Sequence, residues 1–206
     1  MKALLKHHYG GLWRAPGLVY EIQRSAAAFL TLTVLSFGLC MALPAVREQL
    51  AAHVVSMLGN LPVTDGNGSL SPVGLFLNNL RACLFTMFYG CLPFLYLPAL
   101  ALGINSIMIG GLAAWYLCQG HSLLGYLAAI LPHGIFELPA LVLAMAMGLL
   151  VCGQISRRCR LDASALPLWS CLVLIARMLF LVLTPLLAAA ALTEAYITPI
   201  FAAWFF

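Results

Sequence analysis

From residue 26 to residue 46 the chain runs for 21 positions without a charged side chain. At about 1.5 Å of rise per residue, a helix of that length crosses the roughly 30 Å hydrocarbon layer of a bilayer. The rest of the composition points the same way: 64% of the residues are hydrophobic and 8% are charged, against about 25% charged in a soluble domain. Ten basic and six acidic side chains cannot solvate the surface of a 22.2 kDa globule. Disorder is excluded as well, because disordered chains combine low hydrophobicity with high charge. The sequence predicts an all-α, polytopic transmembrane helix bundle of about five spans.

Residues 1–25 carry Lys2, Lys6, Arg14 and Arg24 around His7, His8, Tyr9 and Trp13, a cytoplasmic basic and aromatic segment suited to the membrane interface. Residues 26–206 form a single transmembrane helical domain. Its first span, 26–46, reads as an uncleaved anchor, since a signal-peptide core is about 7 to 15 residues and ends at a small-residue cleavage site. Residues 47–71 form a polar extracytoplasmic loop with a short interfacial helix, whose apolar face comprises Leu50, Val54, Val55, Met57 and Leu58. Pro93 and Pro98 favour a turn that divides the next stretch into spans of about 80–97 and 99–118. In the second of these, Gly103, Gly110, Gly111, Ala113 and Ala114 let a neighbouring helix approach closely, a face suited to a homodimer.

Residues 123–153 would make a straight helix of about 46 Å, too long for a simple span. Pro132 and Pro139 therefore predict a broken or re-entrant helix. Arg157, Arg158 and Arg160 follow in a cytoplasmic loop, 154–166, before a last span over 167–191. With the N-terminus inside, seven basic residues face the cytoplasm and two, Arg47 and Arg81, face outward, which satisfies the positive-inside rule of a cell inner membrane. The basic residues are thus split between segments beside apolar spans, and the implied partner is the lipid bilayer rather than nucleic acid. Seven cysteines with no C-x-x-C pair read as small buried hydrophobes, Cys159 being the most accessible thiol.

Polar side chains within such surroundings need a reason. His133 and Glu137 are four residues apart, on one face of any helix through them, and Glu137 is the only carboxylate between Asp65 and Asp162. Three readings stay open: capping of the helix break, a metal site such as zinc, and contact with a proton or substrate in a pore. Two ligands are too few for zinc, so the metal reading requires donors from another span or a second subunit. Asn78 and Asn105, set near span boundaries, complete a predicted polar pocket of Asn78, Asn105, His133 and Glu137. Arg177 either pairs with Glu137 or snorkels to the cytoplasmic interface.

The run Pro132-His133-Gly134-Ile135-Phe136-Glu137-Leu138-Pro139 closely resembles the signature of the stage II sporulation protein M family of integral membrane proteins. Asn78-Asn79 and the segment from Gly103 through Asn105 to Gly110 resemble the family's asparagine positions, with Ser106 where the family usually has glycine. The resemblance implies about five spans and no established chemistry. Its namesake is similar to a membrane anchor for cell-wall-degrading partners, and related proteins occur beside MoxR-type ATPases or ATP-binding subunits. The expected function is a dimeric membrane scaffold or gating component for a partner complex, such as an ATPase or a cell-wall-processing enzyme. One alternative is a metal-dependent intramembrane hydrolase using His133 and Glu137, although the chain has no H-E-x-x-H or G-x-S-x-G motif. The other is a permease subunit served by a separate ATPase, since no phosphate-binding G-x-x-x-x-G-K-[ST] loop is present.

Overall fold

The structure, a computed structural model, describes residues 10–59 and 70–205. The expectations for Lys2, Lys6, His7, His8 and Tyr9 lie outside the described residues, as do those for the side chains of Val55, Met57 and Leu58. Among the described residues the architecture is helical throughout. Helix α1 is Leu18–Ala42, α2 Pro44–Gly59, α3 Pro72–Tyr89, α4 Pro98–Cys118 and α5 Leu123–Cys159. A final helical stretch comprises α6 Leu168–Met178, α7 Thr184–Leu192 and α8 Thr198–Ala202, joined by π-helical segments at Leu179–Leu183 and Thr193–Ile197. By length and apolar character α1, α4, α5 and the final stretch can each cross a membrane. The 18 residues of α3 add a shorter, more polar fifth rod.

Local chemistry moves several predicted boundaries. Helix α1 begins at Leu18, eight residues before the charge-free run, because Gly17 adopts φ 85° at its start and Glu21 pairs with Arg24 one turn later at 3.4 Å. The helix in the place of the predicted span 80–97 is 72–89. Ser71 accepts a hydrogen bond from the Gly74 N–H at 3.2 Å with Pro72 in the first turn, an N-cap arrangement that starts a helix. Arg81 consequently lies at the middle of α3, exposed, instead of at the outer end of a span. The loop predicted over 154–166 is shortened, since α5 continues to Cys159.

The predicted break in the long apolar segment does not occur. Helix α5 runs for 37 residues with Pro132 and Pro139 inside it, about 55 Å of continuous helix. Each proline removes one backbone donor and leaves the carbonyl four residues earlier without its helical partner. In a bundle such losses are tolerated because neighbouring helices hold the rod in place. Helix α5 packs against α1, α3, α4 and the final helical stretch, and its residues 140–153 are apolar on every side for that reason. Ala140, Ala144, Met147 and Val151 form its buried seam, meeting Cys83 and Met87 of α3 and Met178, Leu183 and Leu187 of the final stretch.

Where the helices approach most closely, glycine is required. A Cβ at Gly110 of α4 would overlap the Thr33 carbonyl oxygen of α1, and one at Gly111 would overlap the Leu50 side chain of α2. The small-residue face predicted to serve a homodimer is thus occupied within one chain. Helix α2 is the short helix expected in this stretch, begun earlier at Pro44 and packed on α4. Arg47 meets Cys118 at 3.1 Å, the Trp115 Nε1–H donates to Glu48 at 3.1 Å, and Leu50 covers Gly111. These contacts step back along α4, so α2 returns antiparallel to it.

The two ends of the bundle differ in charge. At one end the Phe94 N–H donates to Ser156 Oγ at 2.9 Å, the Leu166 N–H donates to Gln154 at 3.0 Å, and Arg160 stacks over Phe94 at 5.3 Å. The same end holds Arg24, Arg157 and Arg160 around one cleft. The opposite end, where α1 meets α2 and α4 meets α5, carries Arg47 beside Glu48. All seven cysteines are free thiols, with Cys91, Cys118 and Cys159 exposed.

Candidate functional site

Helix α5 starts cleanly, with Ser122 Oγ accepting from the Leu124 N–H at 3.1 Å. Because Pro132 does not end it, His133 and Glu137 stand one turn apart on a single helix face. The final helix runs antiparallel beside that face. There, Thr198 Oγ1 lies 3.2 Å from His133 Nδ1, and the Glu194 carboxylate lies close to both His133 and Glu137. Moving four residues along α5, from His133 to Glu137, moves four residues back along its neighbour, from Thr198 to Glu194. Donor atoms of His133, Glu137 and Glu194 all fall within 4.8 Å of one another, and all three residues are half-buried.

Glu194 is the residue that sequence reasoning missed. It was placed beyond a span ending at 191, whereas the helix continues to Phe201. The π-helical segment Thr193–Ile197 widens one turn and resets the faces that follow, and such insertions in α-helices often mark functional positions. The available signal was the polar spacing of Thr193, Glu194 and Thr198 in an otherwise apolar run. Asn79, beside the predicted Asn78 on α3, belongs to the site as well. Its side chain lies near enough to the Glu137 carboxylate to act on it.

The four predicted pocket residues are placed unequally. His133, Glu137 and Asn105 line one cavity of about 170 Å³, closed on another side by Val54 of α2 and Tyr126 of α5. Asn105 Nδ2 donates to the Ala101 carbonyl of its own helix at 2.9 Å, so the amide is anchored at the wall. Asn78 is one step removed: its Nδ2 donates to Asn79 Oδ1 at 3.4 Å, and Asn79 in turn reaches Glu137. Tyr126 ties α5 to α4 nearby, its hydroxyl donating to the Ile109 carbonyl at 2.7 Å. Arg177 is not a partner of Glu137. It lines a separate cleft with Arg14 and Trp169, and a Cβ on Gly11 would stand 2.7 Å from its guanidinium.

An imidazole, two carboxylates, two amides and a hydroxyl therefore meet inside an apolar bundle. Ionised groups in such surroundings are costly unless paired, hydrated or bound to a cation. The polar segments that supply the site, on α3, α4 and α5, are the stretches whose resemblance to a known family was noted in the sequence. No curated protein and no solved structure matches the chain. The family described as stage II sporulation protein M does match, over residues 25–199. That range takes in all but the ends of the bundle together with every residue of the polar cluster, and the chain belongs to the stage II sporulation protein M family.

Proposed function

We propose that this chain is a component of the cell inner membrane that works as a dimeric scaffold or gating element for a partner complex, with the His133/Glu137 centre as its polar working point. The single observation that carries this reading is Arg81. It is the tenth residue of the 18-residue α3 and is exposed, with its guanidinium 5.4 Å from the ring of Phe85. A guanidinium at the middle of a helix that borders lipid is costly, on the order of 2.5 to 3.5 kcal/mol on insertion scales. A carboxylate from a second protein surface offsets that cost. Because the small-residue face of α4 is occupied by α1 and α2, the α3 face around Arg81 takes its place as the contact surface, whether for a second copy or for an ATPase or cell-wall-processing partner.

A photo-crosslinker at Leu77, exposed one turn before Arg81, is expected to give a discrete membrane adduct. Arg81→Leu should reduce that adduct at least tenfold while the chain still inserts. Absence of any adduct, or an undiminished one in Arg81→Leu, rejects the reading.

Orientation follows from charge. The end rich in arginine, with Arg24, Arg157 and Arg160, is assigned to the cytoplasm by the positive-inside rule. An impermeant maleimide applied to cells whose inner membrane is intact should label Cys118 and spare Cys159 until lysis, both thiols being exposed at opposite ends of the bundle. The reverse pattern would invert the topology.

A further inference from the structure

We infer that His133, Glu137 and Glu194 form a binding site for one divalent transition-metal ion, held between α5 and the final helix. Structural and catalytic zinc centres take nitrogen and oxygen donors from imidazole and carboxylate, and open sites commonly have three protein ligands with a fourth position for water or another ligand. The sequence supplied two such donors on α5, and the third comes from the turn of a different helix that stands opposite them. Three ligands at metal-bonding distances of about 2.0 to 2.2 Å in a tetrahedron are roughly 3.4 Å apart. The donors here, all within 4.8 Å of each other, close to that spacing by small side-chain rotations.

Three further features support a metal rather than a bare polar cluster. First, the contact from His133 Nδ1 to Thr198 Oγ1 at 3.2 Å leaves Nε2 as the nitrogen free to coordinate. Metal-ligating histidines characteristically use the other ring nitrogen for a hydrogen bond that orients the ring. Second, the Asn79 side chain lies beside the Glu137 carboxylate, placed to orient that ligand. Third, two carboxylates meet here in apolar surroundings, and no lysine or arginine is among the groups that face them from α3, α4, α5 or the final helix among the described residues. A divalent cation neutralises the pair, and the imidazole biases the choice toward zinc, iron or cobalt over magnesium and calcium.

The test uses the full chain in detergent, with exposed Cys91, Cys118 and Cys159 replaced by serine so that thiols cannot capture metal. After stripping with a chelator, the protein is dialysed against zinc and its metal content is measured. Cobalt(II) loading supplies an absorption spectrum that reports coordination. Near one zinc per chain is expected for the parent, and less than one-tenth of that for His133→Ala and Glu194→Gln, with gel filtration and circular dichroism of the metal-free proteins unchanged. Thr198→Val, which leaves all three ligands in place, should still bind but with affinity reduced 10- to 100-fold. A parent that takes up less than one-tenth of an ion, or a His133→Ala protein that loads as fully as the parent, overturns the site. If His133→Ala fails to fold, the conservative Glu194→Gln protein decides the matter, since unchanged loading there would be equally fatal. The result does not depend on the scaffold reading, which is tested at Arg81.

Discussion

Glu137→Leu is expected to insert at wild-type abundance and to fail to complement a strain lacking the native copy. Two opposing effects fix the first half of that expectation. Exchanging a mid-span acidic residue for leucine favours insertion by on the order of 3 kcal/mol on translocon scales. Against this, the half-buried Asn79 amide loses its carboxylate neighbour, a loss that costs up to about 1–3 kcal/mol where such a group is fully buried. The two nearly cancel, so abundance reports little change while the chemistry of the centre is removed. Glu137→Gln separates shape from charge, because the amide keeps a hydrogen-bonding group near Asn79 but cannot carry the negative charge. Loss of complementation in both variants assigns the role to the charge. Full complementation by the leucine variant would show that the polar centre is dispensable.

Gly110→Ala is expected to lower the thermal midpoint of the purified protein substantially, and Gly103→Ala to leave it unchanged or slightly raised. The two glycines lie on the same helix two turns apart, yet their surroundings are opposite. A Cβ at Gly110 meets the backbone of α1 at Thr33 and Phe37, whereas one at Gly103 finds only a leucine methyl of α1 at 4.0 Å. Backbone cannot move aside as a side chain can, so α1 and α4 must separate. Overpacking of this kind costs about 1–3 kcal/mol or more, roughly 3–10 °C for a chain of this size. At Gly103 the alanine gains helix propensity of about 0.8–1.0 kcal/mol. Equal shifts in the two variants would mean that the close approach of α1 to α4 is absent.

The contrast between these glycines shows what a pattern of small residues can and cannot reveal. Gly103, Gly110 and Gly111 announce a face for close packing, but only the fold says that the occupants are α1 and α2 of the same chain. The prolines mislead in a related way. Pro132 and Pro139 lower the intrinsic stability of a helix wherever they occur, and a reading limited to local propensity ends the helix there. Surrounding helices reverse that outcome, since α5 is the rod against which nearly every other element packs. Ser71 and Pro72 are likewise a legible start signal for α3, eight residues ahead of the span expected from the apolar run alone.

Length and apolar composition by themselves determined that this protein is a membrane-embedded helical bundle, because no other medium accommodates so few charges over so many residues. The i, i+4 spacing likewise determined that His133 and Glu137 share a face, since that follows from helical periodicity alone. Tertiary structure decided what faces them. Bringing Glu194 and Thr198 opposite a histidine some 60 positions earlier depends on antiparallel packing and on a π-helical turn. Neither leaves a local mark in the sequence, because both are set by contacts between helices rather than by the residues within one.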